Sequence, residues 1–337
     1  MKVLLIGGTG TISMAITRLL ATKVDQLYLL NRGSRKEALP DNVKTITADI
    51  ENEEETAKKL EGMTFDCVGE FIGFVPGQVE RDYRLFRGKT RQYIYISSAS
   101  AYQKPPKNYI ITEETPLDNP YWEYSRNKIA CEKYLMDRYR EDGFPVTIVR
   151  PSHTYDERSV PLGVHGNGGS WQVVKRIMDG KPVIIHGDGT SLWTITHNSD
   201  FAKGYAGLIG RPEAIGQAYH ITSDDSLSWN RIYWAVADAL GVKLKPYYVA
   251  SHTLAAMSRY DLIGCLIGDK ANSVVFDNSK IKSLVPGFRT AISAEEGIRM
   301  TVKNILAHPE LQNEDKEFDS WCDDVIERLE KAKMDIS

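Results

Sequence analysis

The chain has 337 residues, 42% of them hydrophobic and 26% charged, with a formal net charge of -3. That length supports one large or two modest domains with buried cores, and the charge balance gives no global attraction to polyanions, so nucleic acid is a poor default partner. Cys67, Cys131, Cys265 and Cys322 show neither CxxC nor Cys/His spacing, which argues against a metal site or a disulfide framework and fits a reducing, cytoplasmic setting.

The apolar run before Gly7 is too short for a signal peptide, and no stretch approaches the roughly eighteen apolar residues of a membrane span. In chain order, strands are predicted at 2–6, 26–30, 43–47, 67–71, 93–97 and 146–150. Between the first two, Ile12, Ala15, Ile16, Leu19 and Leu20 recur at helical spacing, as do Ile129, Cys131, Tyr134 and Leu135 between the last two. Such alternation predicts right-handed βαβ units and an α/β fold, a Rossmann doubly wound parallel sheet over residues 1–153. Residues 154–337 shift to Gly-rich polar loops, short helices and short strands, which predicts a smaller C-terminal α/β substrate domain. The segment at about 190–225 is a candidate to return to the first domain. Ser170 reads as the N-cap of a helix through Asp179 with Gly180 as its stop, and Asp188-Gly189 as a tight turn. Residues 313–333 carry the apolar stripe Phe318, Trp321, Cys322, Val325, Ile326 and Leu329, read as a helix capping the second domain.

The chemistry begins at the first strand. VLLIGGTGTIS runs from Val3 to Ser13 and breaks into three glycines at the first strand-to-helix turn. Backbone N–H groups at such a helix start meet a pyrophosphate closely and with the positive end of the helix dipole. Gly7, Gly10, Thr11 and Ile12 are therefore candidate dinucleotide ligands, with Ser13 standing where a third glycine serves close packing. At the end of the second strand an acid would bind a ribose 2'-OH and a cation a 2'-phosphate. The sequence there is Asn31-Arg32-Gly33-Ser34-Arg35-Lys36, without an acid. NADP(H) is the favoured cofactor, with Asn31 and Arg32 at its ribose phosphate and NAD(H) as the alternative; Arg32 as a plain solvated residue is the other reading. Asp49 and Ile50 follow the third strand, placed for an adenine or for a surface turn.

Tyr124 and Lys128 are four apart, which on a helix puts both on one face. An ammonium beside a phenol favours the phenolate, so Tyr124 is the candidate acid/base. The strand ending Ile96-Ser97-Ser98 brings a hydroxyl to the carboxyl edge of the sheet, where ligands bind. Ser98 is then a candidate to hold the substrate oxygen, or else a strand-end cap. His153 follows the sixth strand and is a candidate contact to substrate or nicotinamide, or a histidine satisfied by loop backbone. The pocket is expected between this edge and the second domain, with Trp193 in its wall.

With GGTGTIS, the SSASAY stretch, ITEETPL at 111–117 ahead of YSRNK, Val149-Arg150-Pro151, HGDGT at 186–190, Asp200 and FDNSK at 276–280, the chain resembles extended short-chain dehydrogenase/reductases of the NAD-dependent epimerase/dehydratase family. The resemblance implies Ser98, Tyr124 and Lys128 as the catalytic set, Lys128 also gripping the nicotinamide ribose, and a homodimer. Departures point to an atypical branch similar to chloroplast stem-loop-binding proteins. Val68-Gly69-Glu70-Phe71 replaces a His-x-Ala-Ala type segment, and Trp193 and Lys270 stand where relatives supply arginines to a nucleotide pyrophosphate. Ala99-Ser100 replaces the Asp-Glu pair of dehydratases, which disfavours elimination.

The expected function is therefore hydride transfer at a carbinol or carbonyl carbon of a sugar, sugar nucleotide or related small molecule, the absent arginines favouring a substrate without a nucleotide tail. The alternative is a non-catalytic NAD(P)-binding regulator or RNA-binding protein on the same fold.

Overall fold

Apolar runs that carry no polar alternation must be covered on both faces, and a parallel sheet between helices achieves this. The computed structural model describes residues 1–34 and 38–335. Its central sheet has seven parallel strands: β1 (Lys2–Ile6), β2 (Gln26–Asn31), β3 (Val43–Thr47), β4 (Cys67–Glu70), β5 (Tyr93–Ile96), β6 (Val146–Pro151) and β7 (Ala218–Ile221). Their spatial order is β7-β6-β5-β4-β1-β2-β3, so the chain runs outward through β2 and β3 and then crosses back to β4 on the other side of β1. That reversal opens a crevice beyond the carboxyl ends of β1 and β4.

The predicted strands agree with β1 to β6 to within a residue at their ends. β7 was not among them, because the four residues AYHI carry no readable period. Helix α1 (Ser13–Leu20) follows β1, α2 (Glu53–Lys59) follows β3, α3 (Pro76–Phe86) follows β4, and α4 (Glu123–Asp142) precedes β6. Farther on come α5 (Trp171–Met178), α6 (Asn198–Leu208), α7 (Trp229–Leu240), α8 (Ser251–Ala256), α9 (Ser279–Leu284), α10 (Ala294–Ala307) and α11 (Lys316–Met334). One face of the sheet packs Leu5, Leu29 and Ile94 against Ile16 of α1, Phe201 and Tyr205 of α6 and Ile281 of α9. The other packs Leu4, Val68 and Tyr95 against Val79 and Phe86 of α3 and Leu135 of α4.

A separate core joins α5, α7, α10 and α11, and it takes in Trp171, Trp229, Ile298 and Phe318. The α11 stripe Phe318, Trp321, Cys322 and Val325 is buried there. Residues 195–221 run from this unit back to the sheet, where α6 lies against α1 and β7 pairs with β6. Among the described residues no helix is long and apolar enough to cross a membrane.

The sheet edge also buries charge. Arg150 of β6 donates to Glu132 of α4 through Nε at 3.0 Å and Nη2 at 2.6 Å, and to the Tyr102 hydroxyl at 3.2 Å. His220 of β7 meets the same hydroxyl at 3.1 Å, and its backbone N–H donates to Glu113. The side chains of Arg150 and Glu132 are only 6% and 4% exposed, so removing one leaves the other charge buried without a partner. Arg150→Met is expected to lower the unfolding free energy in urea by about 3–5 kcal/mol, and adding Glu132→Leu to recover most of it. A single-variant loss of about 1 kcal/mol or less would place the pair with exposed ones and contradict this account.

Candidate active site

The glycine turn is held by hydroxyls. Gly7 adopts φ +81°, a left-handed conformation that side chains disfavour. Ser13 Oγ donates to Gly7 O at 2.6 Å and accepts from Gly10 N–H at 2.8 Å, while Thr17 donates to Gly8 O at 2.7 Å. Ser13 is thus more than a tolerated small residue, since its hydroxyl closes the turn. Close packing falls to Gly8, where a Cβ would sit 2.4 Å from a Leu29 methyl. Residues distant in sequence grip the loop too, with Asn198 Nδ2 at the start of α6 donating to Thr11 O at 2.9 Å and Arg158 Nη2 to Thr11 Oγ1 at 3.3 Å.

Beyond this turn lies a cleft of about 690 Å³. Gly7, Gly10, Thr11 and Ile12 line one stretch of it, Asn31, Arg32, Asp49 and Ile50 another, and Ser98, Tyr124, Lys128 and His153 a third. Arg32 is exposed and, among the described residues, forms no ion pair; Arg35 and Lys36 lie outside the described residues. Sequence reasoning missed Phe71, Ile72 and Phe74, which follow β4 at the same carboxyl edge and line the cleft, with Ile72 packed over Gly7. It also missed Glu51, Gln78 and Ser97. The signal for Phe71 to Phe74 was available in the rule that placed Ser98, because they too leave a strand at that edge. The hydroxyl oxygens of Ser97 and Thr154 are buried in this wall without a protein partner, so the cleft is built to satisfy a polar ligand. A dinucleotide fits the donor set: backbone N–H groups at the glycine turn, a cation near the β2 end, and hydroxyls between.

At the third stretch Lys128 Nζ donates to Gly73 O at 2.7 Å and Ile96 O at 2.8 Å, with the Tyr124 ring centre 5.8 Å away. Burial brings the Lys128 ammonium down to about 8. Burial also raises the Tyr124 phenol above its ordinary range, and hydrogen bonding from Ser98 only partly opposes this. The expectation that Lys128 pulls the phenol down is therefore not met in this arrangement: the ammonium is engaged by two carbonyls, and desolvation dominates. Tyr124 stands protonated at neutral pH. His153 is neutral, pushed well below its ordinary value by burial and then by the nearby Lys270 charge.

Trp193 does not line this cleft, contrary to expectation. It is 4% exposed in the core of the second unit, its ring stacked 5.7 Å from Trp229 and the Lys104 ammonium 5.6 Å over its face. A large ring with an apolar neighbour of its own kind was better accommodated in that core than at a polar edge.

A crevice at the reversal point of a doubly wound parallel sheet places the chain in the Rossmann fold class. The model of the NAD dependent epimerase/dehydratase family matches residues 3–222, and the chain belongs to that family. It is 23% identical over 255 residues to 2'-dehydrokanamycin reductase of Streptomyces kanamyceticus, covering 76% of this chain and 71% of that protein. It is 24% identical to the chloroplast stem-loop binding protein of 41 kDa b of Arabidopsis thaliana, covering 71% of this chain and 63% of that one. This supports the resemblance to that branch. A UDP-glucose 4-epimerase of Lactobacillus helveticus is 32% identical over 169 residues, 44% of this chain and 51% of the epimerase. Among solved structures, an epimerase of Methanothermobacter thermautotrophicus superposes with a TM-score of 0.75 at 18% identity, covering 92% of this chain and 93% of that one. At that identity the likeness is one of fold.

Glu70 ends β4 fully buried. One oxygen accepts from Ile72 N–H, and the other has no donor. Beside it Asp82 accepts from Arg81 Nε at 2.9 Å and from the Tyr93 hydroxyl at 2.8 Å, and Arg81 pairs at 2.8 Å with Glu51 in the cleft wall. Burial first, and then the charge of Asp82, raise the Glu70 carboxyl well above its ordinary value. Glu70 therefore keeps its proton, with the Asp82 carboxylate beside it to accept a hydrogen bond, which accounts for the oxygen without a donor. An unfolded glutamate ionises near 4.3, so as pH rises from there toward the folded value the wild type progressively loses stability. Glu70→Gln, already neutral, escapes that loss. Urea unfolding is expected to show the variant gaining on the wild type by about 1 kcal/mol or more between about pH 5 and pH 8. A difference independent of pH would mean that Glu70 is ionised in the fold.

Proposed function

We propose that this protein is an NADP(H)-preferring oxidoreductase acting at a carbonyl or carbinol carbon of a sugar or related small molecule, with Tyr124 as acid/base, Ser98 holding the reacting oxygen and Lys128 contacting the nicotinamide ribose. The observation that carries this reading is the meeting of Ser98, Tyr124 and Lys128 in the cleft whose other walls are the glycine turn and Arg32. A nicotinamide bound there supplies the hydride donor or acceptor. The chain supplies the rest: Tyr124 moves a proton to or from the substrate oxygen, Ser98 fixes that oxygen, and the apolar loop Phe71 to Phe74 shields the reaction from water. A protonated phenol is ready to donate, which favours reduction, and the likeness to a reductase over most of the chain agrees. The homodimer implied by the resemblance belongs to this reading. So does the choice of NADP(H), which rests on Arg32 and on the lack of an acid at the β2 end.

The likeness to the stem-loop binding protein supports a second reading, an RNA-binding or regulatory role that keeps the cofactor without turnover. Screening keto sugars and related ketones by loss of reduced nicotinamide absorbance separates the two. Tyr124→Phe is expected to lower kcat by about 10²- to 10⁴-fold while cofactor affinity stays within about twofold. Unchanged activity in that variant, with RNA retained, would sink the enzyme reading. Titrating both reduced cofactors tests the preference: Arg32→Ala should weaken NADPH binding by about tenfold or more and leave NADH unaffected. Equal affinities that ignore the substitution would refute the phosphate assignment.

A further inference from the structure

Ser98 is not alone at the reacting end. It caps the short turn Ala99–Ala101, where Ser100 N–H donates to Ser98 Oγ at 3.1 Å. The Ser100 hydroxyl lies 2.9 Å from the same oxygen and itself accepts, at 2.8 Å, from the hydroxyl of Ser125, the neighbour of Tyr124 on α4. Ser100 is 4% exposed and Ser125 fully buried, so water does not compete for these bonds. Asn119 pins the Ser100 segment from the other side, donating to Ser100 O at 2.8 Å and to Gly268 O at 2.7 Å.

A hydroxyl has one hydrogen and two acceptor sites. Ser100 accepts the Ser125 hydrogen, and the acceptor in reach of its own hydrogen is Ser98 Oγ. Ser98 Oγ then receives the N–H and the O–H of Ser100, which fills both of its acceptor sites. What remains is its own hydrogen, which must be donated forward, and each hydroxyl in such a chain polarises the next.

We infer that Ser100 and Ser125 are positioning residues that fix the Ser98 hydroxyl as a donor toward the reacting oxygen, an arrangement that suits a carbonyl oxygen at this site. The inference rests on the proposed roles of Ser98 and Tyr124. A carbonyl oxygen only accepts, so it suits a donor serine and a protonated tyrosine together. An alcohol brings a hydrogen of its own, which Ser98, with both acceptor sites filled, does not take.

The test needs neither substrate nor cofactor. Ionisation of Tyr124 is read as the tyrosinate absorbance difference between a protein and its Tyr124→Phe counterpart as pH rises. The charged and titratable groups around the phenol are Lys128 and Cys131 on its own helix, Asp269 in the segment Ile263–Lys270 and Tyr95 on β5, and the substitutions leave all of them in place. Losing the donor from Ser98 destabilises the phenolate. Ser100→Ala should therefore raise the ionisation of Tyr124 by about one pH unit, Ser125→Ala should raise it by less, and Ser100→Thr should restore it. In a Ser98→Ala background, Ser100→Ala should add nothing. If Ser100→Ala folds poorly, Ser125→Ala with and without Ser98→Ala asks the same question. A Tyr124 titration indifferent to Ser100 and Ser125, or shifted equally when Ser98 is absent, overturns the inference. That failure would leave the enzyme reading untouched, whereas full turnover in Tyr124→Phe would sink the enzyme reading and leave this chain of hydroxyls standing.

Discussion

Complete burial of the middle of the sheet is the constraint on which the rest of the structure depends. Every residue of β4, β5 and β6 is buried, as are Val3 to Ile6 of β1. Strands covered on both faces leave polar groups one place to meet a ligand, the edge where the chain leaves the sheet. The glycine turn leaves β1 there, Phe71 to Phe74 leave β4, Ser97 and Ser98 leave β5, and Ser152 to Thr154 follow β6. The cleft is the consequence of four strands ending side by side, and the order of the sheet decides which chemistry lies next to which.

How much of this was legible in the sequence differs residue by residue. Strand positions were readable because a buried parallel strand needs an unbroken apolar run, and helix α1 because its buried residues repeat at 3.6. The glycine turn was readable as a ligand loop, but the role of Ser13 was not. Its bonds to Gly7 and Gly10 depend on the fold of the turn itself. The cleft residues called from strand ends do lie in one wall or another of it, since a strand end is a local property. Trp193 was misplaced because its environment is set by Trp229 and Lys104, neither of which is near it in sequence. The phenol of Tyr124 was expected low from the i,i+4 lysine alone. Burial, and the two carbonyls that hold Lys128, are tertiary facts that spacing cannot carry.

Glu70 shows the same limit from the other side. An acid at the end of an apolar strand reads as an anomaly in sequence, and the fold resolves it by bringing Asp82, itself held by Tyr93, beside it and by leaving it a proton. A neutral carboxyl in that position behaves as a hydrogen-bonding group and avoids the desolvation cost of a charge.

That carboxyl reaches the reacting end through one short loop. Glu70 accepts from Ile72 N–H, and the next residue, Gly73, offers its carbonyl both to Lys128 Nζ at 2.7 Å and to the Tyr95 hydroxyl at 2.9 Å. Gly73 is tightly packed, since a Cβ there would lie 3.2 Å from both Glu70 Cγ and the Tyr95 ring, and those neighbours would have to give way by a few tenths of an ångström. The loop is therefore fixed by three hydrogen bonds at two consecutive residues, and the ammonium of Lys128 is held where the loop presents its carbonyl. The acid that ends β4 is thus joined to Lys128 through the backbone of Ile72 and Gly73.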